Sequence, residues 1–145
     1  MSLDQLENEP GYQWLAGQIS AYQPDMTVIN KIKSIIDTTT YSFLIYVNPS
    51  CACSGAQQQF PAAVKILQSC GVTEPRFRIY SMISENDIHP YMTHLKLIML
   101  PTFMIMKDSS ALYSVIDSIP IFERRDPNPV VPYTIENVLL MGLQK

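Results

Sequence analysis

The chain has 145 residues, the length of one domain, and its 47% hydrophobic and 16% charged content describes a globule with enough apolar mass for a real core. A net charge of −3 argues against nucleic acid or an anionic membrane as partner, and no apolar run approaches the roughly 18 residues of a membrane span. Three cysteines are too few to frame a secreted disulfide scaffold, so the cytoplasm is the expected compartment.

The start, MSLDQLENEP, is polar and acidic and reads as a loose segment without a signal peptide. Met1-Ser2-Leu3 also has the form of an expression scar, which would hide a removed leader. Trp14, Leu15 and Ile19 have spacings that suit a short helix within Gly11 to Tyr22, with Trp14 as a packing residue. Asp25 can cap the next helix, in which Val28, Ile29, Ile32, Ile35 and Ile36 repeat at helical spacing until Asp37. Threonines 38 to 40 break it and lead into an apolar strand, Phe43 to Val47.

That strand feeds a turn, Asn48-Pro49-Ser50, and then Cys51-Ala52-Cys53 at the start of a helical pattern. The first turn of a helix offers unpaired N–H groups and a positive dipole end, both of which favour thiolate over thiol. Two thiols one residue apart close only a small, constrained ring, the mark of a working disulfide rather than a staple. Zinc requires four ligands, and only Cys70, His89 and His94 remain to supply them, none in a tight pair. A two-thiolate copper(I) site, or two packed cysteines in a non-catalytic binding module, is the competing interpretation.

The cysteine-bearing helix runs on through Phe60, Val64 and Leu67, with Pro61 inside it as a kink and Gly71 as a left-handed cap after Cys70. Cys70 sits at the negative end of the dipole and reads as structural. Arg76 to Met82 alternates as a strand, and Ser84 to Leu97 reads as a helix broken near Pro90 that carries His89 and His94. Met99 to Lys107, led by Pro101, is a strongly apolar strand, turned by Asp108-Ser109-Ser110 into a second strand, Leu112 to Ile119. A proline-rich connection, Arg124 to Pro132, precedes a last helix from Tyr133 to Leu143, started by Thr134 and Glu136.

In this order the chain resembles the thioredoxin fold, in which a cysteine motif follows a central strand and a cis-proline opens the neighbouring antiparallel strand. Pro101 stands in that context about fifty residues after Cys51. The resemblance implies an α/β, three-layer sandwich around a central mixed sheet of about four strands, forming a single domain over residues 1–145. A cis bond at Pro101 would leave the Leu100 N–H and C=O free to pair with an extended substrate; a proline that merely starts a strand is the plainer alternative.

More narrowly, Tyr46-Val47-Asn48-Pro49-Ser50-Cys51-Ala52-Cys53-Ser54-Gly55, followed by Pro61-Ala62-Ala63, is similar to the bacilliredoxins, small bacterial thioredoxin-like proteins with a C-x-C motif. Pro101 to Lys107 and Ile119-Pro120-Ile121-Phe122-Glu123 resemble further stretches of that family, so the likeness spans about residues 28–143. It implies thiol–disulfide exchange on protein disulfides, or on mixed disulfides with a low-molecular-weight thiol, without a bound cofactor or metal. Cys51 would attack and Cys53 would resolve, while Asn48, Ser54, Leu100, Pro101 and Thr102 would contact substrate. Ala52 and Ser54 stand where the family usually has Gly and Ala. Counting back from Pro61 instead gives Cys53 the attacking position; the strand-to-turn length favours Cys51.

Overall fold

The computed structural model describes residues 3–8, 12–36, 41–48, 58–74, 76–82, 97, 100–108 and 110–144. Four strands, β1 (Tyr41–Val47), β2 (Phe77–Ser81), β3 (Thr102–Lys107) and β4 (Ser110–Ser114), form one sheet in the order β2-β1-β3-β4. β1 pairs in parallel with β2 and antiparallel with β3, and β3 pairs antiparallel with β4. A parallel pair requires a crossover connection, and α4 (Phe60–Ser69) lies between β1 and β2. The result is an α/β fold with a four-stranded mixed sheet flanked by helices, consistent with a thioredoxin-like sandwich.

β1 has no polar alternation because both of its faces are covered. Phe43, Ile45 and Val47 face a core shared with Phe103 and Ile105 of β3, Phe77 and Ile79 of β2, and the apolar sides of the helices. Leu44 and Tyr46 face the other way, with Met104 and Met106, and Met82, Leu97 and Leu100 pack on that side. Aromatic contacts cross the strands on both faces: Phe43 meets Phe103 edge-on at 6.0 Å, and Tyr46 stacks on Tyr80 at 5.1 Å between ring centroids.

The first core is covered by α2 (Leu15–Ala21), α3 (Met26–Ile36), α4, α5 (Val115–Arg125) and α6 (Ile135–Leu143). Asp25 begins α3 as expected, its Oδ1 accepting from Thr27 N at 2.9 Å. α4 ends in a Schellman closure, with Val72 N donating to Leu67 O and Gly71 N to Gln68 O, both at 3.0 Å, around Gly71 at φ +76°. Cys70 is buried there, as its position in the sequence indicates. Trp14 packs at the edge of the same core against Tyr12.

Several expectations are corrected. The second hairpin strand stops at Ser114, and Val115 to Ile119 belong to α5. Val115, Ile116 and Ile119 fit one helical face as well as they fit a buried strand, and the Ser114 hydroxyl, donating to Asp117 Oδ2 at 2.8 Å, closes the first turn. The proline-rich connection therefore begins only at Asp126. Pro61 is the second residue of α4, which directly follows a π turn at Gln58 and Gln59; the chain before Gln58 lies outside the described residues. The start of the chain is not loose throughout: Leu3–Glu7 forms α1, which buries Leu6 completely and is tied by Leu3 N to Glu74 Oε1 at 2.7 Å. Thr134 caps α6 through Asn137 N, whereas Glu136 turns inward and is buried. The helix expected over 84–97 lies outside the described residues except for Leu97, as do His89, His94 and Met99.

Two glycines give opposite expectations. A Cβ on Gly142 of α6 would overlap the Tyr113 ring, whereas a Cβ on Gly17 of α2 meets nothing within 4 Å. In urea unfolding followed by circular dichroism, Gly142→Ala is expected to lose about 1–3 kcal/mol and Gly17→Ala to gain about 0.5–1 kcal/mol.

Candidate functional site

The sheet positions the candidate site at the C-terminal end of β1. Tyr46 is in register with Thr102, so the antiparallel run brings the Leu100–Pro101 step alongside the end of β1 where Asn48 leaves the strand. The Leu100–Pro101 peptide is cis, as the thioredoxin resemblance implies. Leu100 is partly exposed, and its backbone makes no hydrogen bond to another described residue. Pro101 and Thr102 are buried, Thr102 completely, so its side chain is out of reach of solvent and the accessible edge of this corner is Leu100. Cys51, Cys53 and Ser54 lie outside the described residues; the chain carrying them leaves Asn48 and returns at Gln58.

The surroundings of this strand end are tightly built. Met82 N donates to Val47 O at 2.8 Å, extending the β1–β2 pairing to the last residue of β1. Tyr12, 1% exposed, places its hydroxyl 3.2 Å from Ser81 Oγ at the end of β2 and its ring edge-on to Phe60 at the start of α4. The end of β2 and the helix that follows the cysteine segment are thereby joined by one aromatic residue from before α2.

Elsewhere, Gln18, Ala21, Tyr22 and Gln58 are among the residues that line an open cleft of about 370 Å³. Tyr22 is fixed there by the carboxylate of Glu136, which accepts from its hydroxyl at 2.7 and 2.9 Å through both oxygens and from Asp25 N at 3.2 Å. Glu136 is only 2% exposed, so these donors replace the water that a carboxylate otherwise requires. Burial raises the Tyr22 pKa, and the hydrogen bond and charge of Glu136 raise it further, which keeps the phenol protonated as a donor. A sequence reading misses this cluster because Tyr22 and Glu136 are 114 residues apart.

No helix among the described residues is long and apolar enough to cross a membrane. Comparison with protein-family models, curated proteins and solved structures finds no match to the chain.

Replacing Tyr22 by Phe removes the principal donor to a buried carboxylate and is expected to cost about 1–3 kcal/mol near neutral pH. A phenol whose folded pKa is raised contributes stability below its unfolded value, near 10, and loses it as pH rises beyond. The gap between wild type and Tyr22→Phe, measured by urea unfolding, should therefore narrow above about pH 10. A gap that widens there would contradict the arrangement.

Proposed function

We propose that the protein is a thiol–disulfide oxidoreductase in which Cys51 attacks and Cys53 resolves. One observation carries this reading: β1, the strand that both cysteines follow in sequence, ends beside Leu100, whose backbone has no hydrogen-bond partner among the described residues. A thiolate beside a helix start is favoured by N–H groups and dipole, and an extended substrate can pair with an open backbone edge.

In the exchange, the Cys51 thiolate attacks one sulfur of a substrate disulfide. A Cys51 mixed disulfide forms, and the other sulfur leaves as a thiolate that takes up a proton. The Cys53 thiolate then attacks Cys51 Sγ, closing the Cys51–Cys53 disulfide and releasing the second substrate thiolate. Two electrons pass from the cysteine pair to the substrate disulfide, and an external thiol reductant restores the pair. Asn48, Ser54 and Leu100 are the proposed substrate contacts, with Pro101 and Thr102 holding Leu100 in position. Substrates are client-protein disulfides or mixed disulfides with a low-molecular-weight thiol. A reducing compartment, the cytoplasm, suits a pair that must be returned to the dithiol state.

The test is a redox titration of the pair in glutathione buffers, read by alkylation and mass, in the Cys70→Ala background. A reversible two-electron transition is expected, abolished by Cys51→Ser and by Cys53→Ser, with Cys51 the faster to alkylate at neutral pH. Cysteines that never pair and alkylate no faster than an ordinary thiol would end the exchange reading in favour of a binding module, for which a copper(I) competition assay is the next measurement.

A further inference from the structure

α6 is apolar over more of its circumference than one core requires. Its inner face is buried, and its single charged residue, Glu136, is buried with it. The outer positions are Asn137, Leu140, Met141 and Gln144, none of them charged, and Met141 is exposed. A helix that faces water ordinarily carries charge on that side, and one that carries none is ordinarily a covered helix.

The loop 126–134 that leads into α6 extends the same surface. Val130 is fully exposed and Val131 is 59% exposed. Both are held in a fixed loop: Asn128 N donates to Asp126 Oδ1 at 3.3 Å, the Tyr133 hydroxyl donates to Asp126 O at 3.1 Å while its ring stacks on Phe122, and Asn137 Nδ2 donates to Pro132 O at 2.9 Å. Prolines 127, 129 and 132 restrict the backbone between those anchors. Asn137 holds Pro132, and Met141 lies one helical turn beyond Asn137, so the loop and Met141 stand at opposite ends of one face of α6.

We propose that this surface, the Val130–Val131 loop with the outer face of α6, pairs with the same surface of a second copy of the chain about a two-fold axis that sets the two α6 helices antiparallel. α6 has nine residues and a length of about 13 Å. Antiparallel alignment brings the loop at the N-terminal end of one helix over Met141 at the C-terminal end of the other, twice by symmetry. The charges are complementary. Arg124 and Arg125, exposed in the last turn of α5 just ahead of the loop, approach the C-terminal end of the other copy's α6, where the dipole is negative and the last turn holds no basic residue of its own. The outer face of α6 carries no exposed acid, so two chains of net charge −3 meet on a helix face where neither is negative. One short helix and one loop make a small interface, and the dimer is expected to dissociate on dilution through the micromolar range.

The test is sedimentation velocity of the full-length protein over a micromolar concentration series, with reductant present so that disulfides between chains cannot mimic the dimer. A monomer–dimer equilibrium is expected. Val131→Asp and Met141→Lys, both at exposed positions, should each raise the dimer dissociation constant about tenfold, and Met26→Lys, at the exposed start of α3, should leave it unchanged. The first two variants mixed in equal amounts should recover the dimer, because the aspartate of one copy then meets the lysine of the other while the second contact remains Val131 on Met141. Recovery on mixing also shows that both variants fold. A chain that stays monomeric throughout, a dimer indifferent to both substitutions, or variants that weaken the dimer without recovering it on mixing would each overturn the antiparallel pairing.

Discussion

The structure depends on burying β1 along its whole length and on both faces. Such a strand has every side chain from Phe43 to Val47 in apolar surroundings and ladder partners on both edges. The requirement excludes polar side chains from the strand interior and moves chemistry to its ends, where backbone groups emerge from the ladder. Fully burying one such side chain is worth about 1.5–3 kcal/mol, so a polar group within β1 would remove a sizeable share of a small domain's net stability.

The two ends of β1 are treated differently. At the N-terminal end, Arg76 closes the gap between α3 and the sheet: its guanidinium donates to Ile36 O at 3.4 Å and to Tyr41 O at 3.3 Å. The last carbonyl of α3 and the first of β1 are thus covered by one cation, suited to the negative end of a helix. At the C-terminal end, Val47 O is taken by Met82 and Ser81 by Tyr12, yet Leu100 on the antiparallel side keeps its backbone uncommitted among the described residues. One end is thus covered by a cation, whereas at the other the Leu100 backbone has no hydrogen-bond partner among the described residues. Edges of this kind accept extended peptides because main-chain pairing is independent of side-chain identity.

What the sequence reveals follows from how local each cause is. β1, α3 and the Gly71 closure are legible because their signals, an apolar run, a helical repeat and a glycine after a helix, lie within a few residues. Pro101 is legible through its context in Leu100-Pro101-Thr102-Phe103, and the fold places it opposite the strand end that precedes the cysteines in sequence. α5 is misread because β-branched residues at 115, 116 and 119 satisfy both periods and Pro120 argues against a helix that tertiary packing nevertheless retains. α1 is missed because five residues with one buried leucine carry no period at all. The cleft is not legible: Gln18 and Gln58 are ordinary exposed residues in sequence, and only the fold sets them side by side.

The Tyr22–Glu136 pair shows why that cleft has a fixed wall. A buried carboxylate costs several kcal/mol in lost hydration unless donors surround it, and here they come from the end of α2 and the start of α3. Glu136 also occupies the first turn of α6, where the helix dipole favours negative charge. The same carboxylate therefore fastens three helices at one point, and displacing any of them would strand a charge away from water. Because Tyr22 is the cleft-lining member of this group, its position is set by the packing of the C-terminal helix rather than by its own loop. The Tyr22 side of the cleft is therefore ordered by folding itself, through a carboxylate that no rearrangement of the cleft can release cheaply.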